Sequence, residues 1–141
     1  MDTPPLLDRE YPATPAALAG IRADTARACA AAGCPEASAQ AIVLALNEAC
    51  MNVIQHAYGG APGHFLRLRL TAHAGLLRAM LLDRGRPASD ADLRPRAHAD
   101  LRPGGLGVHF MRESMDRVAF APPPAGYSNC LILDKRFARG G

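Results

Sequence analysis

The stretch LNEACMNVIQHAYGG, residues 46–60, sets Glu48, Asn52 and His56 four residues apart inside a run otherwise rich in alanine and leucine. In a helix, four residues overshoot one turn by about 40°, so the three polar groups fall on a single narrow stripe. Ile42, Leu46, Ala49, Cys50, Val53 and Ala57 recur beside them at spacings of three and four, which predicts a core-facing helix. Pro35 opens that helix and Gly59–Gly60 stops it.

Working outward, Thr14 and Pro15 read as the cap and first position of an earlier helix, an Ala-rich run that reaches Ala32 and ends at Gly33. Downstream, HFLRLRLTA (64–72) alternates, with Phe65, Arg67 and Arg69 on one face and Leu66, Leu68 and Leu70 on the other. That is a half-buried strand. Leu76–Leu82 is a second, and Gly75 between them predicts a tight antiparallel hairpin.

The segment from Arg84 to Gly105 holds three prolines and few large apolar residues, and long loops inside compact domains are usually functional. Helical spacing returns over Gly104–Met115. RVAFA and NCLILDKRF then read as strands joined by the turn PPPAG. The order α, α, β, β, loop, α, β, β predicts a two-layer α/β sandwich, with helices on one face of a mainly antiparallel, mixed sheet.

Composition narrows the function classes. At 141 residues, 49% hydrophobic and 21% charged, the chain has the balance of one soluble globular domain spanning 1–141. Its longest apolar run is interrupted by Asn47, Glu48 and Asn52 and does not read as a membrane span. MDTPPLLDRE lacks the basic start and apolar core of a signal peptide, so a cytoplasmic location is expected. Cys29, Cys34, Cys50 and Cys130 show neither CxxC nor zinc-ligand spacing, and reduced, mostly buried thiols are expected. Lys135 is the only lysine behind a net charge of +3, and the arginines are scattered without interleaved aromatics. That pattern speaks against nucleic-acid binding and suits an acidic partner or a phosphate.

Three motifs bear on chemistry. A polar stripe is what a solvated helix face also looks like, but this one borders the apolar face and has no Lys or Arg at i+4 to pair with its Glu. The carboxamide oxygen of Asn52 is a hard ligand suited to Mg²⁺, and Glu48, one turn away, is placed to deprotonate a hydroxyl for attack on a phosphoryl group. The second motif is LLDRGRP (81–87). Asp-x-Gly after a strand is a common turn, yet Asp83 at the strand end can also accept from an exocyclic amine while Gly85 lets a base approach the backbone. In the third, RPGGLGVHFMRESMDRV (102–118), Gly104, Gly105 and Gly107 precede a helix whose positive end can receive phosphate oxygens.

The order and spacing of ExxxNxxxHAY, DxGxP and GGxGxxxMxxxxD resemble the nucleotide-binding boxes of the ATPase superfamily shared by gyrase and histidine kinases, over about Ala13–Phe137. Within it the chain is most similar to the stand-alone anti-sigma factor serine/threonine kinases. The resemblance implies a Bergerat-type fold that binds ATP and Mg²⁺. Asn52 would hold the metal and Asp83 the adenine amino group, while Gly105, Leu106, Gly107 and Val108 would wrap the phosphates. Glu48 would be the general base, where sensor histidine kinases usually carry Asn.

The loop of about 84–104 would be the ATP lid, with Arg102, Arg96 or Arg94 reaching the γ-phosphate. His56 would pack or hydrogen-bond at the base of the site. An anti-sigma factor antagonist of the STAS type, a sigma factor, and a second copy meeting through the first helix are the partners that the resemblance implies. Two departures stand out: Arg86 replaces a glycine of the DxGxG form, and the family's threonine on the last strands has Ser128, Asn129 and Cys130 as candidate counterparts.

Overall fold

The computed structural model describes residues 4–88 and 111–138. Strand β1 (Leu7–Pro12) leads through a short 3₁₀ turn, Pro15–Ala17, into helix α1 (Leu18–Ala31) and then α2 (Glu36–Asn52). Strands β2 (Phe65–His73), β3 (Leu76–Asp83), β4 (Arg117–Ala121) and β5 (Asn129–Arg136) complete a five-stranded sheet in the order β1-β2-β3-β5-β4. The two-layer α/β arrangement is as expected.

All four pairings among the described strands are antiparallel, so the parallel contact that a mixed sheet would contain is not found among them. The cause at the β1 side is the αα-hairpin. Two helical passes return the chain to the end from which β2 must run against β1.

Helix α2 lies over β3 and β5. Its Ile42, Leu46, Ala49, Cys50 and Val53, the predicted apolar face, are buried together with Leu66, Leu68 and Leu70 of β2. Ala45 and Ala49 keep the helix side small where it meets the sheet. Glu36–Ala57 is long and apolar enough to cross a membrane by length and composition alone, but the face just named belongs to the core.

The hairpin between β2 and β3 turns on Ala74 (φ 51°) and Gly75 (φ 77°), the pair of positive φ values that a two-residue type I′ turn requires. Strand β1 was not expected. LDREYP lacks an apolar alternation because only Tyr11 is buried and Leu7 packs half-buried against the core, while Asp8 and Glu10 stand opposite Arg69 and Arg67 of β2. Arg67 clasps Asp8 with Nε and Nη2 at 2.7 and 2.8 Å. Charge pairing, not hydrophobic pattern, holds this edge, and Pro12 ends it.

Of the expected helix over Gly104–Met115, residues 111–114 are helical, Met115 follows the helix end, and 104–110 lie outside the described residues. Met111 and Met115 are buried against the core. All four cysteines are free thiols, three of them buried.

Candidate functional site

Asp83 ends β3 directly opposite Asn129, the first residue of β5. Its side chain is buried, yet Oδ1 accepts hydrogen bonds from the Gly85 N–H (2.8 Å) and from Asn129 Nδ2 (2.9 Å). Oδ2 accepts none from the described residues. Burial pushes the Asp83 carboxyl above the usual carboxylate value, and the two hydrogen bonds partly oppose that shift. The result is a carboxylate fixed at one oxygen and open at the other.

The turn after Asp83 is fastened on two sides. From β5, Asn129 Nδ2 also donates to the Arg86 carbonyl (2.9 Å), and its Oδ1 accepts the Ala88 N–H (2.8 Å). Ser128 Oγ donates to the Gly85 carbonyl at 2.6 Å. From the helical side, the Arg86 N–H donates to the Ala57 carbonyl at 2.8 Å. A Cβ on Gly85 would stand 2.5 Å from that same oxygen, so only glycine allows this approach.

Arg86 is tolerated where relatives have glycine because its backbone faces inward and its side chain is exposed. Residues 84–88, expected as the start of a lid, are therefore pinned. Of the three candidate counterparts for the family's threonine, Asn129 is the one whose side chain bonds the Asp83 carboxylate, while Ser128 Oγ donates to the Asp83 backbone carbonyl at 3.3 Å.

Ala57 is able to receive the turn because the helix changes character just after Asn52. Val53–Ala57 is a π turn, in which the Tyr58 N–H reaches the Val53 carbonyl five residues back (3.0 Å). Such one-turn insertions recur at functional sites because they re-aim backbone groups. Next in the chain, the Tyr58 hydroxyl accepts the Arg84 N–H (2.8 Å) and donates to the Phe65 carbonyl (2.7 Å), while its ring stacks on His64 at 4.4 Å. Arg84 reaches the other way, to the Gly126 carbonyl (2.8 Å) and over the Tyr127 ring.

Glu48 and Asn52 are half-buried on α2, one turn apart, and neither side chain is hydrogen-bonded to another described residue. His56 is exposed, so the expectation that it packs at the base of the site is corrected. Ala57 and Tyr58 of the same HAY triplet do that work through a carbonyl and a hydroxyl. Arg94, Arg96, Arg102, Gly104, Gly105, Leu106, Gly107 and Val108 lie outside the described residues.

The donor set suits the groups expected here. Asp83 Oδ2, beside a backbone that only glycine permits, fits a flat base carrying an amino group. Among the described residues no cluster of three or more His, Cys, Asp or Glu could hold a metal. Asn52 supplies one hard oxygen, which matches Mg²⁺, an ion that takes few protein ligands and completes its shell with phosphate and water.

Known proteins resemble this chain over most of its length. The histidine kinase-like ATPase domain pattern matches residues 11–135. The chain is 29% identical over 127 residues to the serine-protein kinase RsbW of Bacillus pumilus, covering 83% of this chain and 78% of that protein. Among solved structures, the RsbU and RsbW domains of Rv1364c from Mycobacterium tuberculosis superpose with a TM-score of 0.65 at 24% identity, covering 98% of this chain and 34% of that one. The histidine kinase domain of a blue-light activated kinase from Erythrobacter litoralis gives a TM-score of 0.54 at 21% identity, over 73% of this chain and 46% of that one. The chain thus spans about a third of one solved chain and under half of the other. It belongs to the histidine kinase-like ATPase domain family, and ATP is the ligand which that membership implies.

Proposed function

We propose that this histidine kinase-like ATPase domain is an ATP-dependent serine/threonine protein kinase of the anti-sigma factor type, which phosphorylates a STAS-type antagonist and sequesters a sigma factor in the cytoplasm. The observation that carries the reading is Glu48. It lies one helical turn before Asn52 on α2, half-buried and unbonded to any other described residue. A carboxylate there is what a hydroxyl nucleophile needs and what a histidine nucleophile does not. The likeness to a serine-protein kinase supports the same choice.

In this reading Asp83 Oδ2 accepts the adenine amino group, and Asn52 offers its carboxamide oxygen to Mg²⁺, which neutralises charge on the phosphates. Glu48 takes the proton from the partner's serine or threonine hydroxyl, the freed oxygen bonds to the γ-phosphorus, and ADP departs. Residues 1–141 act as one domain, with Gly104–Val108 and Arg102 on the phosphate side.

The test is incubation with Mg-ATP and a candidate antagonist, followed by phosphoamino-acid analysis. Phosphoserine or phosphothreonine is expected, and Glu48→Ala should abolish it while ATP still binds. Transfer that survives this substitution removes Glu48 as the base. One observation favours a second reading, a nucleotide-binding module that sequesters its partner without phosphotransfer: Arg86 replaces the glycine of the DxGxG form. Partner capture indifferent to both nucleotide and Asn52→Ala would select it.

A further inference from the structure

Helix α1 ends in a Schellman motif. The Gly33 N–H donates to the Ala30 carbonyl and the Cys34 N–H to the Cys29 carbonyl, both at 3.0 Å, with Gly33 in the left-handed region at φ 75°. This cap brings together the side chains three residues before the helix end and two after it, positions usually filled by an apolar pair. Here both are thiols. Cys29 is buried in the core, Cys34 packs half-buried against the same cluster, and the hydrogen bond from the Cys34 N–H to the Cys29 carbonyl holds the two residues side by side. The spacing CAAAGC is no redox motif, so only the backbone geometry reveals the pair.

We propose that Cys29 and Cys34 form a reversible dithiol/disulfide site that reacts with low-molecular-weight disulfides. The inference is independent of the kinase reading. Access is from the side of Cys34, which lines a groove of about 520 Å³ between α1 and α2, walled by Ala26, Ala30, Ala39, Val43 and Leu44. Cys34 Sγ attacks the small disulfide, forming a mixed disulfide and releasing one small thiol. Cys29 Sγ then attacks Cys34 Sγ, forming the internal bond and releasing the second. The two protein thiols are oxidised by two electrons, the small disulfide is reduced, and the two protons leave on the released thiols. Burial raises both thiols above the ordinary cysteine value, so the exchange is slow and is best read at equilibrium.

The test equilibrates the native full chain in glutathione buffers of increasing disulfide fraction, quenches in acid, alkylates free thiols and maps peptides by mass. The expected product has lost two hydrogens, carries a Cys29–Cys34 cross-link, keeps Cys50 and Cys130 alkylated, and reverts with dithiothreitol. Cys34→Ala, at the half-buried position least costly to the fold, should remove the cross-link entirely, and Cys130→Ser should leave it unchanged. Glutathione that stays on Cys34, a cross-link through Cys50 or Cys130, or four alkylated thiols in the most oxidising buffer would each overturn the proposal.

Discussion

At the end of β3 nearly every polar group is already engaged: Asp83, Asn129, Ser128, Tyr58 and the backbone of residues 84–88 hydrogen-bond to one another. On α2, Glu48 and Asn52 have no such partners among the described residues. The difference matches the two tasks proposed above for these groups. Recognising the edge of a base demands one acceptor held still, and rigidity is supplied by hydrogen bonds formed during folding. Binding a metal and moving a proton demand groups whose partners arrive with the ligand.

The contrast can be broken by substitution. Glu48→Gln should show the largest effect, a loss of phosphotransfer of about 10²- to 10⁴-fold with an unchanged melting temperature, because no described hydrogen bond is lost. Rate assays beside thermal denaturation would check it, and a fall in melting temperature would mean that α2 depends on Glu48 after all. Gly85→Ala should act on both sides at once: the added Cβ collides with the Ala57 carbonyl, so stability should fall by about 1–3 kcal/mol and ATP affinity with it. Calorimetric titration and urea unfolding read the two losses separately.

Asn129→Ala should cost about 1–3 kcal/mol and change the pH response. In the folded chain the Asp83 carboxyl titrates above the ordinary aspartate value of 3.8 because it is buried. Its protonation therefore favours the folded chain, a contribution complete below 3.8 and lost as pH rises through the folded value. Accepting an amino group needs the ionised form, so ATP affinity should run the other way and decline as pH falls through that same raised value. Without the Asn129 amide the value climbs further, and the midpoint of affinity against pH should move upward. Tyr58→Phe is the mildest change. Losing one hydroxyl that serves Arg84 and Phe65 should cost about 0.5–1.5 kcal/mol and weaken ATP binding without altering that midpoint.

What was legible in the sequence follows from the same contrast. Helix α2 and the β2–β3 hairpin were readable because burial imposes a period, and Leu66, Leu68 and Leu70 keep it without interruption. Strand β1 was not, since its support comes from Asp8 and Glu10 facing arginines that lie far along the chain. The π turn has no compositional signature: one extra residue per turn leaves the letters of VIQHA looking helical. Asn129 could not be told from Ser128 and Cys130, because the choice depends on strand register, which puts Asn129 opposite Asp83. In the HAY triplet the histidine drew the eye, while the contacts are made by a backbone carbonyl and a phenol.

The edge strand carries one more consequence, for the order in which the molecule is made. β1 is synthesised before both helices, yet Leu7 pairs with Leu70, so its template does not exist until the αα-hairpin has been translated. Through that interval the nascent chain bears an unpaired strand, the kind of segment that invites pairing with neighbouring chains. Asp8, Arg9 and Glu10 keep it hydrated while it waits, and Pro12 denies a backbone donor to any early partner. The charges that hid β1 from a hydrophobic reading are also what lets it be made first and placed late.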